Sequence, residues 1–162
     1  MEEFMAFQGC PGSQMMDFRK NSETTDADSA AKVQSQLRQW PIQLHLIAPT
    51  APYYQGADVV LAADCTAFSF GNFHNDYIKG KAIAIACPKL DDGQDEYVEK
   101  IRAWFDEAKI NTLTVVIMQV PCCGGLLHLA KQALAEATRK VPLKAIVLSL
   151  QGEILSEEWV TV

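Results

Sequence analysis

Apolar and polar positions along the chain fall into two recurring patterns. Short, nearly continuous apolar runs rich in Val and Ile occur at Ile42–Ala48, Asp58–Ala63, Lys81–Ala86, Leu113–Val120 and Lys144–Leu150. Such runs predict strands buried on both faces, and hence a mainly parallel sheet. Between them, apolar residues recur at steps of three and four. Asp95–Ala108 carries Tyr97, Val98, Ile101, Trp104 and Phe105 on one stripe. Gly124–Thr138 carries Leu126, Leu127, Leu129, Ala130, Ala133, Leu134 and Ala137. Both predict amphipathic helices. Ala30, Val33, Leu37 and Trp40 predict another helix from Asp28, stopped by Pro41 and capped by Thr25, Asp26 or Asp28. Thr66–Ile78, with Phe68, Phe70, Phe73 and Tyr77, reads as partly helical.

Alternation of strand and helix predicts an α/β fold: a three-layer, doubly wound, flavodoxin- or Rossmann-like arrangement around a mainly parallel sheet of about five strands. Residues 1–25 read as an irregular amino-terminal segment, with a turn at Gly9-Cys10-Pro11-Gly12-Ser13, and 26–162 as a single α/β domain. The connection Pro49–Ala57 is short for a parallel crossover. Either a single helical turn serves there or the first strand pairs differently.

Charge and composition narrow the class. Of the 162 residues 49% are apolar, and the net charge is −6. The 14 basic residues are scattered, so no basic face for nucleic acid is expected. No apolar stretch approaches the ~18 residues that cross a membrane. The acidic start Met1-Glu2-Glu3-Phe4 lacks the basic region of a secretory signal. The expected location is the cytoplasm, where thiols stay reduced.

In that setting five cysteines need a role: Cys10, Cys65, Cys87, Cys122 and Cys123. An odd number argues against a closed disulfide framework. Cys65, Cys87 and the Cys122-Cys123 pair each follow an expected strand. In an open parallel sheet those carboxyl ends share the edge where ligands bind. A lone cysteine after a strand is ordinarily a small buried hydrophobe. Three consecutive strand ends bearing one are harder to explain that way. Gly124-Gly125 permits close backbone approach, and the helix beginning there favours thiolate at Cys122 and Cys123. Cys10 sits in a rigid turn able to cover the same edge. A set of Cys10, Cys65, Cys87 and one of Cys122 or Cys123 suits a 4Fe–4S cluster or a structural zinc. The spacing lacks the paired knuckles usual for zinc, which favours iron–sulfur. The vicinal pair could instead form a strained disulfide.

The histidines are weaker candidates. His45 lies in an expected strand, His128 about one turn into the helix after Cys123, and His74 in Gly71-Asn72-Phe73-His74. His74 and His128 are candidate supporting groups, with a solvated histidine the plainer reading of each. Phosphate-loop, dinucleotide and nucleophile-elbow signatures are absent. Asp91 and Asp92 read as caps of the following helix, with catalysis the lesser alternative.

Taken in order, Cys10-Pro11-Gly12-Ser13, Met16-Asp17-Phe18, Leu37-Arg38-Gln39-Trp40-Pro41, Ala63-Asp64-Cys65, Gly71-Asn72-Phe73-His74, Cys87-Pro88-Lys89-Leu90-Asp91 and Pro121-Cys122-Cys123-Gly124-Gly125 resemble the carboxyl-terminal domain of a family of ferredoxin-like iron–sulfur proteins of anaerobic bacteria and archaea. The likeness runs from about Gly9 onward. In that family an amino-terminal ferredoxin module with a C-x-x-C-x-x-C-x-x-x-C-P run usually precedes this domain, and this sequence has no such run. The resemblance implies an anaerobic redox setting and names no substrate.

Three functions follow as expectations. The first is an electron-transfer or accessory redox protein that holds a cluster and meets a redox partner, such as a separate ferredoxin. The second is a redox or thiol enzyme acting on a small molecule in a pocket lined by His74 and Phe68. The third is a zinc-binding or metal-free scaffold.

Overall fold

The computed structural model describes residues 14–19 and 32–161. Two short strands, β1 (Met16–Asp17) and β2 (Gln39–Trp40), pair antiparallel. The main run is β3 (Asp58–Ala63), α1 (Thr66–Ser69), a π-helical turn at His74–Ile78, β4 (Ala82–Ala86), α2 (Gln94–Asp106), β5 (Thr112–Met118), α3 (Gly124–Glu136), β6 (Leu143–Leu148) and β7 (Ile154–Val160).

The main sheet has the order β4-β3-β5-β6-β7. β3 pairs parallel to both β4 and β5, β5 parallel to β6, and β7 antiparallel to β6. The chain steps from β3 outward to β4, then crosses back over β3 to β5. Right-handed connections therefore place residues 64–81 on one face and α2 and α3 on the other. This is the three-layer, doubly wound α/β fold expected from the sequence.

Burial explains the strand composition. Val59, Val60, Leu61 and Ala62 are covered on both faces, as are Val115 and Val116 beside them. On α2 the stripe Tyr97, Val98, Ile101, Trp104 and Phe105 is buried as its spacing demands. Gly93, with φ of 72°, turns the chain into α2, and Asp95 and Glu96 in the first turn oppose the positive helix end. The Tyr54 and Trp104 rings meet at 5.2 Å beneath the sheet.

Three expectations are corrected. Of the helix expected from Asp28 to Trp40, residues 28–31 lie outside the described residues, and 32–38 form no regular element before β2. Tertiary pairing outweighs the apolar spacing there. The Gln39 side chain bonds the Ile83 carbonyl and N–H, both at 2.9 Å, while Val33 is exposed.

The strand expected at Ile42–Ala48 shrinks to one parallel bridge, Gln43 to Ile85, because Leu46 and Ile47 turn back to bond the Gln43 carbonyl. No crossover is then required of Pro49–Ala57, which holds a 3-10 turn at Pro52–Tyr54. The fifth strand is instead β7, whose largely exposed residues lack the apolar run that marks a buried strand.

Asp91 and Asp92 do not cap α2. Gly93 takes that position, and among the described residues no side-chain hydrogen bond caps the helix.

Candidate functional site

The thiols lie where the topology changes direction. The connection leaving β3 runs to one face of the sheet, and the connection leaving its neighbour β5 runs to the other. Their carboxyl ends thus flank a crevice, the usual ligand position of doubly wound folds. Cys65 follows β3, and Cys122 and Cys123 occupy a 3-10 turn after β5. Cys87 follows β4 on the other side of β3.

Local bonds hold these turns. The buried Thr66 hydroxyl donates to the Ala63 carbonyl at 2.8 Å, closing the Asp64-Cys65 turn. The Asp64 N–H donates to the Ala86 carbonyl at 3.1 Å, fastening that turn to the end of β4. The Ser69 hydroxyl reaches Met118 Sδ at 3.3 Å, tying α1 to the end of β5.

Asp91 closes the loop after β4 in both directions. Its N–H donates to the Cys87 carbonyl at 2.9 Å, and its Oδ2 accepts the Cys87 N–H at 2.9 Å. The Tyr97 hydroxyl donates to the same oxygen at 2.5 Å. Gly125 lets this loop approach α3, since a Cβ there would stand 3.2 Å from Pro88 Cβ. The close approach permitted by Gly125 therefore brings the Cys87 loop to the start of the helix that follows Cys123.

Cys65 and Cys122 are exposed, Cys87 half-buried and Cys123 buried. Burial pushes the Cys123 thiol up, the Met118 backbone opposes this, and Cys122 and Cys65 add to the rise. That direction is opposite to the one expected from the helix end. Burial and the nearby Asp91 charge also hold the Asp64 carboxyl above its ordinary range. Asp64 Oδ1 is buried without a hydrogen-bond partner among the described residues. Burial, the Asp91 bond and nearby acidic groups keep Tyr97 protonated far into the alkaline range.

The candidate residues separate accordingly. Cys65, Cys122 and Cys123 gather at the crevice, and Cys87 stands beside it. Cys10 lies outside the described residues. His74 Nδ1 accepts the Gln36 N–H at 3.0 Å, which engages it with the segment before β2. His128 is exposed on α3. Phe68 is 93% exposed, so it does not wall an enclosed pocket among the described residues. His45 lies in a turn, where its Nε2 bonds the Asp92 carbonyl at 2.6 Å and its ring lies 4.2 Å from that of Tyr97.

The sequence assigns no role to Asp64 and Thr66, and it marks Asp91 chiefly as a helix cap and Tyr97 only as part of the α2 stripe. Asp64 and Asp91 stand inside the cysteine motifs, which was the available signal, whereas Tyr97 was indistinguishable from the rest of the α2 stripe.

The donor chemistry of this edge is thiol, the type that iron–sulfur clusters and structural zinc take. Among the described residues, no three His, Cys, Asp or Glu side chains are grouped so as to hold a metal ion. Among the same residues, no helix is long and apolar enough to cross a membrane.

Fold and edge together define a doubly wound α/β protein with a thiol-bearing switch point. Residues 51–162 match the family model described as a Rossmann-like domain, and the chain belongs to that family. It is 29% identical over 119 residues to an uncharacterized protein of Archaeoglobus fulgidus, an alignment covering 74% of this chain and 83% of that protein. No solved structure matches the chain.

Proposed function

We propose that the thiols of this edge hold an iron–sulfur cluster of the 4Fe–4S type, and that the protein has an electron-transfer or accessory redox role with a partner redox protein. The observation carrying this reading is the convergence of Cys65, Cys122 and Cys123 on the β3/β5 switch point, with Cys87 on the adjoining strand end. The residues that would hold the cluster are Cys65, Cys87, one of Cys122 and Cys123, and Cys10 from the amino-terminal segment. When bound, the cluster supplies a one-electron carrier. The chain's own part is to hold the Cys87 loop through Asp91 and Tyr97, and to seat the Cys65 turn through Thr66. The resemblance to iron–sulfur proteins of anaerobes supports the same reading.

The test is iron, sulfide and zinc content with a visible spectrum, on protein purified without oxygen. About four irons and four sulfides per chain, lost when Cys65 or Cys87 becomes Ser, is the expected result. Zinc alone would make the site structural. Colourless, metal-free protein after anaerobic reconstitution would overturn the proposal.

A second reading is favoured by the adjacency of Cys122 and Cys123 in the turn after β5, with Cys65 at the neighbouring strand end. Two of these thiols would give up two electrons and two protons to a disulfide oxidant, forming one disulfide. Metal-free protein that reversibly loses two free thiols on exposure to oxidised glutathione would support it.

A further inference from the structure

We propose that a cavity at the amino edge of the sheet, lined by Arg19, Arg38 and Lys81, binds a phosphoryl group, as inorganic phosphate or as part of a small phosphorylated molecule. This cavity is at the end of the sheet away from the thiols. Ala57, just before β3, and Ala82, the first residue of β4, both line it, whereas Cys65 and Cys87 follow those strands. Its volume is about 280 Å³. That is just under the range of roughly 300–1,000 Å³ usual for small-molecule sites. A phosphate with a body no larger than a pentose suits it.

The chemistry of the lining selects an anion. Among the described residues, three cations and no carboxylate line the space, in a chain whose net charge is −6. Arg19 is already engaged, with its guanidinium forked on Asp17 at 2.7–3.0 Å. Arg38 differs: its Nε is buried and has no hydrogen-bond partner among the described residues. A buried cationic donor without an acceptor is costly, and a planar guanidinium matches two phosphate oxygens at once. Lys81 Nζ spends one donor on the Asp76 carbonyl at 2.9 Å, and an ammonium has three. Tyr53 adds a hydroxyl, kept protonated by its burial and by Asp17.

The motif Leu37-Arg38-Gln39-Trp40-Pro41 thereby acquires a role that the thiol edge leaves open. Gln39, 2% exposed, pairs its amide with both backbone groups of Ile83 and so behaves as a strand partner. The Arg38 carbonyl accepts the Phe18 N–H at 2.7 Å, joining the β1 segment that carries Arg19. Both arginines are thus delivered to one cavity by backbone pairing.

Isothermal titration calorimetry with inorganic phosphate and, separately, ribose 5-phosphate tests the proposal against sodium chloride of matched ionic strength. The expected result is saturable binding of at least one, weakened roughly tenfold or more in Arg38→Gln and Lys81→Gln and unchanged in Lys131→Gln on α3. Equal affinity for the two ligands would identify phosphate alone as the recognised group. Tighter ribose 5-phosphate binding would identify a phosphorylated metabolite. Lys81→Gln carries the test if circular dichroism shows Arg38→Gln unfolded. Absence of saturable binding at millimolar concentrations of both, or equal binding by the wild type and the Lys81 variant, would overturn the proposal.

Discussion

The carboxylate of Asp91 accepts the backbone N–H of Cys87 at 2.9 Å, so the loop after β4 is closed by a charge four residues further on. The same oxygen receives the Tyr97 hydroxyl from the first turns of α2. One side chain therefore sets the position of a candidate ligand and anchors the helix behind it. Asp91→Ala leaves the N–H and the hydroxyl without their acceptor. A loss of about 2 kcal/mol in urea-measured stability is expected. Faster alkylation of Cys87, read by peptide mass mapping, should accompany it; an unchanged Cys87 rate would mean the bond does not hold the loop.

Asp64 predicts the opposite sign. Its Oδ1 is buried with no partner among the described residues, and the Asp91 charge is close by. Asp64→Asn removes an unfavourable buried charge next to Cys65. A gain of about 1 kcal/mol at neutral pH is expected in urea titration. Measured destabilisation would show that the carboxylate has a partner in solution.

Thiol accessibility gives a third expectation. Iodoacetamide on reduced, metal-free protein should label Cys65 and Cys122 first, Cys87 more slowly and Cys123 last. Cys123 is both buried and poorer in thiolate. Quenched labelling followed by peptide mapping reads the order. Early labelling of Cys123 would contradict its burial.

Gly152 is a steric requirement. Its φ is +83°, and a Cβ there would fall 2.1 Å from the Ser69 carbonyl oxygen. Gly152→Ala must therefore part the end of α1 from the turn between β6 and β7. A loss of about 2–4 kcal/mol is expected in chemical denaturation. A near-neutral result would mean that this contact is loose.

Acid sensitivity follows from Asp106. Backbone N–H groups of Arg139 and Thr138 donate to its carboxylate at 2.8 and 3.2 Å and hold its pKa below the ordinary value. A carboxyl depressed on folding stabilises above its unfolded pKa, near 3.9, and that contribution fades as pH falls through the lower folded value. Asp106→Asn should thus cost about 1 kcal/mol at pH 7 and progressively less below pH ~4. Urea midpoints across that range check it. A pH-independent difference would assign the effect to packing.

Much of the fold was legible because its elements are locally self-consistent. β3 spans Asp58–Ala63 as its apolar run predicts, and the α2 stripe from Tyr97 to Phe105 is buried residue for residue. Strands covered on both faces must be apolar throughout, so composition alone reveals them. β7 was missed for the converse reason: an exposed edge strand carries no such run. The segment before Pro41 is not helical because a few apolar positions at that spacing do not by themselves choose helix over extended chain, and Val33 among them is exposed. Only the pairing of Gln39 with Ile83 decides between them.

What the sequence determined by itself was the class of fold and the placement of cysteines at successive strand ends. The parallel β-α-β repeat carries both in local spacing. What only the tertiary structure decided was the strand order that makes β3 and β5 neighbours, the approach of the Cys87 loop to α3 across Gly125, and the closure of that loop by Asp91. Those relations join residues distant along the chain or on different elements. The Arg38 cavity is of the same kind, because a buried Nε without a partner among the described residues is visible only once its neighbours are in place.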